Sequence, residues 1–347
     1  MDTTHDPRRD QLTGWLRSLP GALGLAPDTL RPVSGDASFR RYFRVDAAGR
    51  TLIVMDAPPG REDCRPFVHV AELLARTGLN VPRIVASDLE QGLLLLTDLG
   101  PDTYYQRVVA GLADDVLQRL YRDALAALVR MQTAPVQGLP AYDAARLAAE
   151  LELFPQWYAE RHCGVTLAPA QAAALQKVFS VLVAHNAAQP RVLVHRDYHS
   201  PNLIVSDDPD RYGPNPGVLD FQDALAGPIS YDIASLVMDA RTTWEEPQQL
   251  DWAIRYWDMA RRQGLPVPAD FAEFHRDYEW MGLQRNLRIL GVFARLHHRD
   301  GKSGYLDHIP RVSAYVRQVA RRYDVFAPLV RLLDTLENRQ ATVGFTF

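Results

Sequence analysis

The chain has 347 residues, 47% of them apolar and 23% charged, with a formal net charge of −4 and a sequence pI of about 6.2. That length suits about two domains or lobes, and the apolar share is enough for a sizeable core. A nucleic-acid partner calls for a basic face or a high pI, and neither is visible, so that class of function is excluded.

The opening MDTTHDPRRD has no apolar stretch of the signal-peptide kind, and the longest apolar run, in GLLLLTDLG, is far too short to span a bilayer. The cytoplasm is therefore the expected compartment, with no membrane partner. Residues 6–25 read as a short amphipathic helix, with Leu12, Trp15, Leu16 and Leu19 at helical spacing. Strand-like runs follow at 30–34, 39–45 and 51–55, the first two separated by the small-residue loop SGDAS. A helix fits 65–77, ending at Gly78, and two more strands fit 83–87 and 92–97. The two cysteines, Cys64 and Cys163, make neither a disulfide framework nor a zinc cluster. Past Gly100 the pattern turns helical, at 114–132, 144–161 and 168–187. The short strand RVLVH, a second one in GVLDF, and a mainly helical remainder from Ile229 come next. The expected architecture is α+β, with a small mixed lobe over residues 1–98 and a larger, mainly helical lobe over residues 99–347.

Chemistry concentrates in His195-Arg196-Asp197-Tyr198-His199-Ser200-Pro201-Asn202, of the form HxDxxxxN, followed by Leu219-Asp220-Phe221. This pair resembles the catalytic loop and metal-binding aspartate of the protein-kinase-like fold. Phosphoryl transfer needs a carboxylate to orient the attacking hydroxyl and take its proton. It also needs hard oxygen ligands to hold magnesium on the nucleotide phosphates. Asp197 is the expected catalytic carboxylate, Asn202 and Asp220 the metal ligands, and ATP with Mg2+ the cofactors. Without the downstream LDF, the HRD triplet reads equally well as a strand-end ion pair.

The stretch from Gly217 to Asp232 looks like that of the aminoglycoside phosphotransferase and choline kinase family rather than a protein kinase. That resemblance implies that Asp232 braces the catalytic loop, with His195 in a supporting role. Asp223 either supports a second metal or caps a turn. DASFRRYFR, LIVMDAPP, HRDYHSPNL, GVLDFQDALAGPISYD and LGVFARLHHRDGK together resemble the anomeric N-acetylmuramate/N-acetylglucosamine kinases of bacterial cell-wall recycling. The resemblance implies phosphorylation of the C1 hydroxyl of those two amino sugars. The spacing of the motifs by itself implies only an ATP-dependent hydroxyl kinase, so a kinase of another small alcohol, of aminoglycoside or choline type, stays open.

Kinase-like folds carry a phosphate-gripping lysine on the third strand, where this chain has Met55. Only two of the 38 basic side chains are lysines, Lys177 and Lys302, and none precedes position 177. Either the chain is a non-catalytic pseudokinase or an arginine does this work, since its planar fork binds phosphate bidentately. Alternation along FRRYFRV puts Arg41 with Phe39, Phe43 and Val45, and Arg44 on the other face. The apolar face is expected to cover adenine, which points to Arg41. Ser38 and its neighbours in the 34–38 loop could cradle phosphate, and the main chain of the segment holding Thr97 and Leu99 is the expected adenine hinge. For the acceptor, Trp157 offers an aromatic face, while Gln284, Arg285 and Arg288 could receive a carboxylate. The alternatives are plain core for the aromatic and a solvated helix face for the arginines.

Overall fold

The computed structural model of the chain describes residues 6–33 and 39–337. They form two compact units, Met1–Gln106 with Asn202–Asp223, and Arg107–Pro201 with Ala224–Phe347. The first unit is built on five strands: β1 (Ala26–Pro32), β2 (Arg41–Ala47), β3 (Arg50–Asp56), β4 (Ile84–Asp88) and β5 (Leu93–Thr97). Their antiparallel order is β1-β2-β3-β5-β4.

Register explains how the two sheet faces divide. Phe43 pairs with Val54 and Val54 with Leu95, so these three share a face, as do Val45 and Leu52. Helix α1 (Pro7–Ser18) lays Leu12, Trp15 and Leu16 on that face, closing one apolar core. Its start is fixed by Asp6, whose carboxylate accepts the Arg8 and Arg9 N–H groups. The helix stops at Ser18 rather than running to 25, because Pro20 cannot continue it. The apolar face of β2 therefore lies under α1, and this corrects the expectation that it covers adenine: three large side chains on one helix stripe need a partner of their own. Tyr42, Met55 and Leu94 occupy the opposite face, with Arg44, Ile53 and Leu96 beside them. Helix α2 (Arg65–Arg76) follows, and α3 (Tyr104–Ala110) leads out.

Residues Asn202–Asp223 were expected in the larger lobe and belong instead to the first unit. The cause is main-chain bonding. Val218 donates to the Asn80 carbonyl at 2.8 Å and Val205 to that of Asp102 at 2.8 Å. Gly217 packs so closely on Leu99 that a Cβ there would sit 2.9 Å from its Cδ1.

The second unit is mainly helical: α4 (Asp114–Met131), α5 (Ala144–Leu151), a π-helix (Phe154–His162) and α6 (Pro169–Ala187) precede strand β6 (Arg191–Val194). In the returning Asn202–Asp223 segment lie β7 (Leu203–Ile204), the short α7 (Pro209–Tyr212) and β8 (Gly217–Val218). After it come β9 (Leu225–Pro228), which pairs with β6, then α8 (Tyr231–Val237), α9 (Glu246–Arg262), α10 (Phe271–Asp300), α11 (Ile309–Ala320) and α12 (Ala327–Leu336). The long α10 is buried on all sides over its middle turns and runs through the core of this unit. Gly291 lets it approach the Leu153 backbone at the start of the π-helix, where a Cβ would meet the carbonyl atoms at 2.4 Å. Among the described residues no helix is long and apolar enough to cross a membrane.

Candidate active site

The turn after β6 is held by one buried carboxylate. Asp232, fully buried on α8, accepts the His195 N–H at 2.7 Å and the Arg196 N–H at 3.0 Å. Arg196 has φ 78, a left-handed backbone that a non-glycine residue adopts only where its surroundings dictate it. Tyr198 anchors the next residue pair by donating its hydroxyl to the Ala124 carbonyl at 2.8 Å. Ser200 then donates both its N–H and its hydroxyl to Asp239, which also accepts the Arg241 N–H. The backbone on both sides of Asp197 is thus fixed by buried carboxylates, while the Asp197 side chain itself stays 40% exposed.

The charges around Asp197 are unusual. Crowding works against its ionisation, but His199, Arg288, Arg285 and Arg196 outweigh it and hold the carboxyl down to about 2. His199 approaches it at 4.0 Å, and burial pushes that imidazole down to about 4. Glu150, at the end of α5, gathers three donors: Arg196 at 3.0 Å, Arg288 at 3.3 Å and the Tyr142 hydroxyl. The Arg196 guanidinium also lies over the Tyr142 ring, 5.9 Å from its centre. Sequence reasoning missed Glu150, Tyr142 and Asp239; nothing near them in the chain marks them. His199 stood inside the motif and was not given a role.

In the first unit, β7 and β8 pair Leu203 with Val218, and Leu219 donates to the Asn202 carbonyl at 2.9 Å. This ladder brings Asn202 beside Asp220: the Asn202 amide nitrogen lies 3.3 Å from one carboxylate oxygen, and Gln222 donates to the other at 2.7 Å. Asp220 has φ 62, a second left-handed non-glycine residue, and Phe221 anchors it by packing on Phe67 with ring centres 4.9 Å apart. The donor set fits magnesium: an amide and a carboxylate, both hard oxygen ligands, lie side by side, and a half-turn of the amide presents its oxygen.

The expected phosphate and adenine contacts fall as follows. Ser38 lies outside the described residues. Arg41 is engaged at both ends of its guanidinium, by Asp56 at 2.9 and 2.7 Å and by Asp6 at 2.6 Å. Arg44 is engaged by Asp98 at 2.6 and 3.0 Å and by the Gly100 carbonyl. Thr97 donates its N–H to the Arg83 carbonyl at 3.0 Å, and Leu99 is buried against Gly217. On the acceptor side, Trp157 is half-buried in the π-helix, whereas Phe154 and Tyr158 are core. The Gln284 amide donates to the Leu147 carbonyl at 2.9 Å and accepts from Asn186, so it is a tie between helices.

The chain is similar to the N-acetylmuramate/N-acetylglucosamine kinase of Pseudomonas aeruginosa, at 48% identity over 95% of this chain and 97% of that one. It is similar to the kinase of the same name from Neisseria meningitidis, at 42% identity over 90% and 92%. Among solved structures, a choline/ethanolamine kinase family protein from Mesorhizobium loti matches with a TM-score of 0.60 and 15% identity, over 94% of this chain and 99% of that one. The ADP-bound aminoglycoside phosphotransferase APH(2'')-Ib matches with a TM-score of 0.58 and 11% identity, over 91% and 99%. These likenesses establish the protein-kinase-like fold. The model of the phosphotransferase enzyme family (APH) matches residues 29–271, and the chain belongs to that family.

Proposed function

We propose that this chain is an ATP- and magnesium-dependent sugar kinase that phosphorylates the anomeric C1 hydroxyl of N-acetylmuramate and N-acetylglucosamine. The observation that carries the kinase chemistry is the braced turn: Asp197 projects, half-exposed, from a backbone that Asp232 and Asp239 hold on either side. The acceptor assignment is supported by relatives of that name at 42–48% identity over nearly the whole chain.

In this reading Asp197 accepts a hydrogen bond from the sugar hydroxyl and takes its proton as the oxygen attacks the γ-phosphorus and the bond to the bridging oxygen breaks. A carboxyl held near 2 is a weak base, so most of its contribution is orientation. That is sufficient for two reasons. The transition state of phosphoryl transfer is loose, with little charge on the nucleophile. An anomeric hydroxyl is also more acidic than an ordinary alcohol. Asn202 and Asp220 would hold magnesium, which when bound neutralises charge on the phosphate oxygens. The main chain around Thr97 and Leu99, together with Ser38, would serve the nucleotide. Trp157 would face the sugar ring, and Arg285 and Arg288 would favour an acceptor bearing a carboxylate over a polycation. The test is phosphorus NMR of the products formed from ATP and each sugar. A 1-phosphate is expected; a 6-phosphate, or turnover with aminoglycosides alone, would overturn the assignment.

A further inference from the structure

We infer that Arg285 is the residue that reads the acceptor's carboxylate, making the site selective for an acidic sugar over its neutral counterpart. The inference rests on the sugar-kinase reading and narrows it to one side chain. Arg285 is only 3% exposed, yet its Nε and Nη1 groups have no hydrogen-bond partner, and no carboxylate lies within ion-pair distance among the described residues. A buried guanidinium in that condition is costly and is normally paired. Its neighbours show the contrast. Arg288 lies one helical turn along α10, on the same face, and is paired with Glu150, as is Arg196. Those two arginines are therefore spoken for. Three guanidinium groups act on Asp197, and two of them are held in ion pairs by Glu150. Among the described residues Arg285 is the one of the three without an ion pair, and it is the one with unused N–H groups.

A carboxylate on the acceptor would supply the missing partner once the guanidinium turns towards it, since a carboxylate is the natural counterpart of that group. On N-acetylmuramate the lactyl carboxylate is carried on a ring carbon two positions from the reacting C1, so a sugar presenting its anomeric hydroxyl to Asp197 brings the acid into the same neighbourhood. N-acetylglucosamine has the same ring without the acid and serves as an internal control.

The experiment measures kcat/KM for both sugars with the full chain as wild type, Arg285→Met and Arg285→Lys, with thermal denaturation to verify folding. In Arg285→Met the ratio of acid to neutral acceptor should fall by about 10–100-fold, mainly through KM for the acid, as expected for loss of a charge-assisted pair. Arg285→Lys, which keeps the charge and loses the fork, should fall between. A fall of both activities together with the ratio unchanged would show that Arg285 acts only on the charge of Asp197, and would overturn the inference. A third arm needs no variant: the lactyl amide of N-acetylmuramate should bind wild-type protein at least 10-fold more weakly than the acid, and equal binding would likewise overturn it. Wild-type inactivity towards both sugars would overturn the proposed function, and this inference with it.

Discussion

Asp232 holds Arg196 in a left-handed backbone: its carboxylate accepts the Arg196 N–H at 3.0 Å, and Arg196 has φ 78. The same carboxylate takes the His195 N–H, so one group fixes the approach to Asp197. Burial pushes the Asp232 carboxyl up to about 6, against the opposing pull of His195 and the two N–H bonds. The folded value lies above the ordinary value of about 3.9. The stability contribution of this group is therefore full below about pH 4 and is lost as the pH rises through about 6. Activity runs the other way, because a proton on Asp232 replaces one acceptor oxygen with a hydroxyl and loosens the turn. The expected acid limb of kcat lies near pH 6 and belongs to Asp232, since Asp197 stays ionised to about 2. A kcat that is flat from pH 5 to 7.5 would refute this.

Asp197 and Asp220 should separate by function. Asp197→Asn keeps the turn, whose bonds are made by main chain, and removes the proposed proton acceptor; turnover should fall by about 10²–10⁴-fold with nucleotide affinity nearly intact. Asp220→Asn removes a proposed magnesium ligand and should weaken magnesium-dependent nucleotide binding as well. Isothermal titration with ATP and magnesium distinguishes them; equal affinities for both variants would contradict the division of labour.

The parts of this site that were legible in the sequence are those contiguous in the chain. HRDYHSPN and LDF carry their chemistry at fixed spacing, and the brace from Asp232 came with the family resemblance. Glu150 was not legible, because it reaches Arg196 from 46 residues upstream and looks locally like any surface glutamate. The pairing state of Arg285 was equally hidden: α10 carries Arg285 and Arg288 one turn apart, and only packing shows that Glu150 takes the second. In the first unit, alternation along β2 gave the correct face for Arg41, but what covers that face depends on where α1 docks. The placement of Asn202–Asp223 likewise turns on main-chain bonds to Asn80 and Asp102, which no local pattern announces.

The Arg41 environment leads to a stability prediction. Asp56 is fully buried and accepts from both Arg41 and Arg8, and Asp6 caps α1 while accepting from Arg41. Arg41→Ala leaves Asp56 with a single cationic partner and loosens α1 on the sheet. The expected cost is about 1–3 kcal/mol in unfolding free energy, with KM for ATP changed less than about threefold. Chemical denaturation and steady-state kinetics check both. A KM for ATP raised tenfold at unchanged stability would return Arg41 to the phosphate-binding role.

Two glycines on α10 should respond differently to the same change. Replacing glycine with alanine in a helix gains about 0.5–1 kcal/mol from propensity, so the sign depends on what the new methyl meets. At Gly282 it meets Met238, with its Sδ at 2.3 Å, the flexible end of a side chain that can rotate away. At Gly291 it meets the Leu153 carbonyl carbon and oxygen, both at 2.4 Å, and backbone at the start of the π-helix cannot move without shifting Trp157 as well. Overpacking of this kind costs about 1–3 kcal/mol or more. Gly282→Ala should therefore lie within about 1 kcal/mol of wild type, and Gly291→Ala should be destabilised by at least about 2 kcal/mol. If Trp157 faces the sugar, Gly291→Ala should also raise KM for the acceptor and leave KM for ATP unchanged. Equal stabilities for the two variants would show that the close approach of α10 to Leu153 is not a constraint on this helix.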